Sequence, residues 1–285
     1  MIAPVRSWLY VPGHRPELLA KAMAGNADAV VFDLEDAVAP GSKDEARRNA
    51  VLAAAEEHPK PLWVRVNSSL TPWGKDDLVA LAGSGVSGLR IPKAEDPAAI
   101  VELAEAVGVP LHLLLETALG VENAFLLARC HPRVVIVSLG EADLRADLRI
   151  RDADALEWAR QRVINADRAA GLASPPHAVW TDVADRDGLE ADTRKARDRG
   201  FFGRSVVHPG QIEPVNRLFS PDPAEVEAAR ALLGSLDDRS GGAVSAWLDE
   251  RGRFVDPAVV AGARWVVDLA DAVNPSSPDS GKKVP

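Results

Sequence analysis

Eight short apolar runs recur along the 285-residue chain, each followed by a stretch with helical character, and no other feature constrains the fold as much. The runs are Ser7–Val11, Ala29–Leu34, Leu62–Val66, Gly88–Ile91, Leu111–Leu115, Val134–Ser138, Ala178–Trp180 and Gly203–Val207. They are short, rich in Leu or β-branched residues, and do not alternate strictly. Parallel strands buried on both faces read this way. Between them lie Ala-rich amphipathic segments: Pro16–Ala24, Ser42–Glu57, Asp76–Ala82, Pro97–Ala106, Val121–Ala128, Ala153–Ala170 and Gly188–Arg199. Ser42 with Glu45 three residues on has the spacing of a capping box. Eight strand–helix repeats predict an α/β chain folded as a (β/α)8 TIM barrel. An open doubly wound sheet shares the local pattern, but no Gly-x-Gly-x-x-Gly turn follows the first run.

Past Phe219 the rhythm stops. The sequence predicts a helix over Ala224–Leu236, a polar loop over Asp237–Ala243, a small hairpin in Trp247–Val255 around Glu250–Gly252, and a last helix over Pro257–Val273. The Pro/Ser/Gly/Lys-rich stretch Asn274–Pro285 is expected to be disordered. We therefore expect a barrel domain over 1–220, a C-terminal helical lid extension over 221–273 and a tail over 274–285.

An apolar share of 47% with 26% charged residues is that of a globular core. The formal charge of −9 excludes a generally basic nucleic-acid binder, which needs a cationic face for phosphates. It leaves room for a local basic pocket. The single cysteine, Cys130, forms no intrachain disulfide and no Cys-based zinc site, and it reads as buried or inert. The first residues carry no signal-peptide core, and no run approaches the roughly 18 apolar residues of a membrane helix. The expectation is a cytoplasmic protein that engages neither membrane nor nucleic acid.

Charged residues gather where the predicted strands end. The second run leads to Asp33, Glu35 and Asp36, the third to Arg65 and Asn67, the fourth to Lys93. The fifth leads to Glu116, the sixth to Glu141 and Asp143, the eighth to His208. In a barrel all strand C-termini share one face, and active sites lie there. Carboxylates without cysteine suit a hard, oxygen-seeking ion such as magnesium, with Glu116 and Asp143 as its ligand pair. Arg65 is placed to grip a carboxylate or face an oxyanion. Several residues have simpler readings beside these. Glu116 reads also as a cap, Asp36 as the partner of a lysine or a turn, and Lys43 and Arg47 as a solvated helix face. His208, before Pro209 and Gly210, reads as a turn residue as readily as a catalytic one, and His14 as exposed.

The ordered motifs Ser7-Trp-Leu-Tyr-Val-Pro-Gly13, Val31-Phe-Asp-Leu-Glu-Asp-Ala-Val38, Arg65-Val-Asn67, Ile91-Pro-Lys93, Glu116-Thr-Ala-Leu-Gly120, Gly140-Glu-Ala-Asp-Leu144 and Gly200-Phe-Phe-Gly-Arg-Ser-Val-Val-His-Pro-Gly-Gln-Ile212 span nearly the whole chain. This set resembles the citrate lyase β-subunit family of the HpcH/HpaI aldolase superfamily, which includes malyl-CoA and citramalyl-CoA lyases. The resemblance implies a barrel with a C-terminal extension and magnesium held by Glu116 and Asp143. It places Arg65 on the keto-acid oxygen and carboxylate, and Tyr10, Arg15 and Lys21 on coenzyme A. It makes Asp256, in Gly252-Arg-Phe-Val-Asp256-Pro, the candidate base; Glu35 and Asp36, from the rim after the second run, complete the candidate catalytic set. It also implies a homo-oligomer, trimer or hexamer, in which the extension covers a neighbour's site.

The implied reaction is magnesium-dependent carbon–carbon cleavage, or formation, of a 3-hydroxyacyl-CoA thioester, giving a 2-keto acid and an acyl-CoA. Three alternatives accompany it: a citrate lyase β-subunit acting on a citryl carrier-protein thioester, an aldolase that uses no CoA, and a non-catalytic homologue that binds CoA or keto acid. The chain departs from the family pattern at three places. Glu141 is displaced by one from the usual Gly-x-Glu-Asp-Leu, Arg149 stands where a glycine is expected, and Pro175-Pro176-His177 replaces an Asp before an aromatic residue.

Overall fold

The computed structural model describes residues 4–237, 246–249 and 252–273. The chain divides into two compact units, Met1–Phe219 and Ser220–Pro285. In the first, seven parallel strands pair in the order β6-β5-β4-β3-β2-β1-β7. They are β1 (Ser7–Pro12), β2 (Ala29–Asp33), β3 (Leu62–Arg65), β4 (Gly88–Ile91), β5 (Leu111–Leu115), β6 (Val134–Leu139) and β7 (Arg204–Val206). Sequential strands are neighbours and the last returns beside the first, which is barrel order.

The sheet is curled. Nη1 of Arg90, on β4, donates to the Tyr10 hydroxyl on β1 at 2.7 Å and to Ser205 Oγ on β7 at 3.1 Å. In a flat sheet those strands would stand about 14 and 19 Å from β4 at the usual inter-strand spacing. The two faces divide accordingly. Leu9, Val11, Val30, Phe32, Val64, Leu111, Leu113 and Leu115 join the large apolar cluster under the helices. Trp8, Ala29, Val31, Trp63 and Ile136 form a separate cluster inside the curl. Two inward glycines make room for large neighbours. A Cβ at Gly88 would lie 2.3 Å from the Trp63 ring, and one at Gly140 would lie 2.4 Å from Glu116 Cγ.

The expected seventh strand, Ala178–Trp180, is a correction. Among the described residues it forms no ladder, and the residue before it makes one isolated parallel bridge, His177 to Arg204. Pro175 and Pro176 have no N–H to donate, so pairing cannot extend through them. The chain is still held beside β7, because His177 N donates to Gly203 O at 2.8 Å and Ser205 N to His177 O at 3.0 Å.

Helix ends also moved from expectation. The helix Lys43–Ala54 follows a short 3-10 turn over Pro40–Ser42, and Ser42 makes no side-chain cap. The third helix begins earlier, at Pro72, because Thr71 Oγ1 accepts from Gly74 N at 3.1 Å. Helices over Glu141–Asp147 and Ile212–Phe219 were not expected from the pattern.

In the second unit, helices Pro223–Asp237 and Pro257–Val273 pack through Ala229, Ala263 and Val266. Between them Trp247–Leu248 and Phe254–Val255 form a two-stranded antiparallel hairpin. Asp237 belongs to its helix, while 238–243 of the expected loop, Glu250 of the hairpin turn and the expected tail 274–285 lie outside the described residues. Among the described residues no helix is long and apolar enough to cross a membrane.

Candidate active site and metal centre at the strand C-termini

The rim is built outward from Asp33, the last residue of β2 and fully buried. Its carboxylate accepts from the backbone N–H groups of Glu35 and Ala37, both at 3.0 Å. It also takes a two-pronged grip from Arg65, Nε to Oδ1 and Nη2 to Oδ2, each at 2.7 Å. Asp33 thus fixes both the turn after β2 and the guanidinium at the end of β3. Arg65 Nη1 lies 3.1 Å from Asp36 and 3.0 Å from Glu35 Oε2. Its guanidinium stacks over the Tyr10 ring, 5.0 Å from the centroid.

Behind this turn, Lys43 is buried, not solvated. Its ammonium donates to Leu34 O at 2.8 Å, Glu35 O at 2.7 Å and Asn67 Oδ1 at 2.6 Å. Asn67 is held in turn by Asp77, and Asp77 by Arg47. The lysine therefore ties the β2 turn to the β3 turn, and its recorded hydrogen bonds go to Leu34, Glu35 and Asn67 and not to Asp36, the partner the sequence offered for a lysine. Asp36 itself is exposed and reaches only Arg65 among its recorded ion pairs.

Across the rim, Glu116 follows β5 and is 3% exposed. It is not the helix cap. Thr117 takes that role for the helix Ala118–Glu122, accepting from Gly120 N at 3.1 Å, which leaves the Glu116 carboxylate to face the barrel mouth. Glu116 Oε2 accepts from Lys93 N at 3.1 Å, and the Lys93 ammonium lies 3.6 Å from it. The same ammonium donates to Asp143 Oδ1 at 3.2 Å. Lys93 has φ of 53°, a left-handed conformation that costs a non-glycine residue about 1 kcal/mol. That conformation aims its amide and its side chain at the same carboxylates.

Glu116 and Asp143 thus both meet the Lys93 ammonium. Among the described residues no three His, Cys, Asp or Glu side chains form a ready-made cage. A pair of carboxylates is a donor set that suits magnesium, which keeps several waters and leaves positions for a chelating ligand.

Burial governs the protonation of this rim. It pushes the Glu35 carboxyl up to about 8, opposed by Arg65 and reinforced by Glu116, Asp36 and Asp33. It pushes Glu116 up to about 7, with Lys93 opposing and Asp143 adding. Glu35 and Glu116 therefore sense each other, and both sense Arg65.

The remaining sequence candidates are distributed as follows. Tyr10 turns into the barrel mouth, with its hydroxyl on Arg90. Arg15 and Lys21 are exposed around the first helix, where Arg15 pairs with Glu17. In the second unit Asp256 caps the last helix, with Oδ1 accepting from Ala258 N and Val259 N at 2.9 Å. His208 is a turn residue. Its Nδ1 accepts from Gly210 N at 3.0 Å, while Gln211 Oε1 accepts from Val207 N at 3.0 Å. His14 is half-buried, and so is Cys130, whose thiol burial pushes up toward an inert form.

The departures also find their places. Glu141 accepts two hydrogen bonds from Arg160, from Nε at 2.7 Å and Nη2 at 2.6 Å, with His177 at 3.4 Å. Arg204, His177 and Asp192 complete this buried cluster. Arg149 is exposed at the end of the Asp143 helix with φ of 58°. It keeps the backbone geometry that a glycine would take more cheaply.

Sequence reasoning passed over Arg90 and His112, and read Lys43 as solvated where the structure buries it. The signal for Arg90 and His112 was a charged or polar residue in the middle of a run otherwise buried on both faces.

Comparison with known proteins places this geometry in a family. The chain is 37% identical over 278 residues to a (3S)-malyl-CoA thioesterase of Cereibacter sphaeroides, covering 95% of this chain and 96% of the relative. It is 30% identical to an L-malyl-CoA/beta-methylmalyl-CoA lyase of the same organism, covering 95% and 96%. It superposes on CitE from Mycobacterium tuberculosis, solved with magnesium, acetoacetate and coenzyme A, with a TM-score of 0.80 at 33% identity, covering 94% of this chain and 98% of that one. The HpcH/HpaI aldolase/citrate lyase family model matches residues 6–209. With its barrel-type parallel sheet and its rim of acids and Arg65, the chain belongs to the HpcH/HpaI aldolase/citrate lyase family, whose members include carbon–carbon lyases.

Proposed function

We propose that the chain is a magnesium-dependent lyase that cleaves, or forms, a 3-hydroxyacyl-CoA thioester, with a 2-keto acid and an acyl-CoA as the other side of the reaction. The observation that carries this reading is the pairing of two converging carboxylates, Glu116 and Asp143, with an immobilised guanidinium, Arg65, on one rim. Bound by those carboxylates, magnesium would supply Lewis-acid polarisation of the substrate's oxygens. Arg65, locked by Asp33, presents fixed positive charge to the alkoxide that the substrate hydroxyl becomes before the carbon–carbon bond breaks, and, in the forming direction, to the keto oxygen as it gains charge. Glu35, whose carboxyl burial pushes up to about 8, is proposed to hold a proton at neutral pH, with its Oε2 3.0 Å from Arg65 Nη1. Asp256 is the proposed base at the thioester α-carbon, delivered by the extension of a neighbouring subunit in a homotrimer or hexamer. Arg15 and Lys21 supply an exposed basic pair for the nucleotide phosphates. The lone cysteine agrees with a cytoplasmic site of action.

Similarity to a malyl-CoA thioesterase favours a second reading, hydrolysis of the same class of thioester. A single experiment separates the two. Malyl-, citramalyl-, 3-hydroxy-3-methylglutaryl- and citryl-CoA are offered with and without magnesium, and released oxo product and free thiol are measured separately. Oxo product without free thiol is the lyase result, abolished by chelation. Free thiol without oxo product is the hydrolase result. No turnover of any ester by folded, magnesium-replete protein overturns both.

A further inference from the structure

The layer beneath the rim is unusual for a barrel. Barrel interiors are filled mainly by branched apolar side chains, whereas here Tyr10, Arg90, His112, Ser138 and Ser205 meet inside the curl. Arg90 is fully buried. Among its recorded ion pairs there is no carboxylate, so its charge is met by neutral groups. Nη1 donates to Tyr10 Oη at 2.7 Å and Ser205 Oγ at 3.1 Å, and Nε donates to His112 Nδ1 at 3.1 Å. The guanidinium also lies over the Trp8 ring, at 4.8 Å, and the Tyr10 ring, at 5.3 Å. Burial and the Arg90 charge hold His112 neutral. With Nδ1 accepting from Arg90, its proton sits on Nε2 and is directed to Ser138 Oγ at 2.7 Å.

A buried cation met only by neutral groups is costly, and this one is wired to the rim. Tyr10 lies between two guanidiniums, with its hydroxyl bound to Arg90 and its ring 5.0 Å under Arg65. Asp33 fixes Arg65 from the side, and Tyr10 is its floor. The floor has its orientation set from below.

We propose that Arg90 is a positioning residue for the reaction: by holding the Tyr10 hydroxyl it fixes the aromatic floor under Arg65. This rests on the reading of Arg65 as the oxyanion-facing group.

The test uses the fact that Tyr10 is the only tyrosine in the chain. A ring-labelled tyrosine gives one resonance to watch in the full-length protein. Two variants are compared with wild type, Arg90→Met, which keeps an unbranched apolar stem and removes the charge and its donors, and Tyr10→Phe, which keeps the ring and removes the link. The expected result is that Arg90→Met moves or broadens the Tyr10 resonance while melting remains cooperative. Its kcat falls by about 100-fold, the scale set by misplacing a positioned group, with KM changed less than about threefold. Tyr10→Phe reproduces that kcat loss, and the double variant is no worse than either single one, as expected for residues acting in one chain. An unchanged Tyr10 resonance in Arg90→Met, or full kcat in both variants, overturns the proposal. If the wild type turns over no CoA thioester, the functional reading fails while the Tyr10 resonance still decides whether Arg90 sets the floor. Should Arg90→Met not fold, the kcat of Tyr10→Phe decides, with wild-type turnover overturning the proposal.

Discussion

Arg65 is held by two 2.7 Å bonds to a buried carboxylate that is itself fixed by two backbone amides, whereas Glu116 and Asp143 meet the Lys93 ammonium at 3.6 and 3.2 Å. The first arrangement is rigid and complete within the chain. The second is looser, with Asp143 half-exposed and the cation between the acids carried on a flexible stem. The contrast separates two tasks. A group that must face developing charge gains from being pre-set, since no reorganisation is then needed during reaction. A cation site that exchanges its occupant needs carboxylates that converge but are not spent on each other.

The sharpest way to break this comparison is at its rigid half. Arg65→Lys keeps the charge and loses the planar two-pronged fork. We expect kcat/KM to fall by about 100- to 1,000-fold, the range for removing one oxyanion donor, with magnesium affinity little changed. Steady-state kinetics and calorimetry on one preparation check both halves of that statement.

The looser half is tested without touching a ligand. A Cβ at position 140 would lie 2.4 Å from Glu116 Cγ and 2.6 Å from Oε1. Gly140→Ala must therefore displace Glu116. Magnesium affinity is expected to drop by about 10- to 100-fold, as for other residues that orient a ligand, while Arg65-dependent anion binding changes less. Equal loss of both would merge the two halves into one unit.

Smaller in effect is the pH dependence of stability. The folded-state pKa of Glu35, about 8, lies above its ordinary value of 4.5. The native state therefore holds that proton more tightly than the unfolded chain. The stabilisation is fully present below pH 4.5 and is lost as pH rises to about 8. In metal-free protein, Glu35→Gln should flatten the decline of melting temperature over that window. An unchanged slope would remove Glu35 from the rim's proton inventory.

The smallest effect lies outside the comparison and calibrates it. Arg149→Gly relieves a left-handed residue at an exposed helix end and should stabilise the protein by about 1 kcal/mol in urea unfolding, without altering turnover.

Much of this was legible in the sequence because barrel strands bury both faces, so that β1 to β6 stand out as apolar runs. The acids and Arg65 stood out because each directly follows such a run. The seventh apolar run was over-read. Ala178–Trp180 is apolar enough, yet Pro175 and Pro176 deny it a ladder, and the neighbouring space holds the buried imidazole of His177 beside the charges of Arg204 and Glu141. Lys43 was under-read because a lysine on an amphipathic helix looks solvated until the turn it reaches is known. Arg90 was hidden for a different reason. Its partners Tyr10, His112 and Ser205 are spread over three other strands, and curling alone brings them together. The one-residue displacement of Glu141 is visible in the sequence but its consequence is not: the helix it opens turns it to Arg160 and leaves Asp143 beside Lys93.

The central claim is that Glu116 and Asp143 hold a magnesium ion beside a fixed Arg65. The most direct test is a calorimetric titration of magnesium into wild type, Glu116→Gln and Asp143→Asn, repeated with oxaloacetate present. The account predicts one magnesium site, weakened by at least about 10- to 100-fold in each variant, and oxaloacetate binding that requires magnesium. Magnesium affinity that survives both substitutions, or oxaloacetate binding indifferent to the metal, would contradict it.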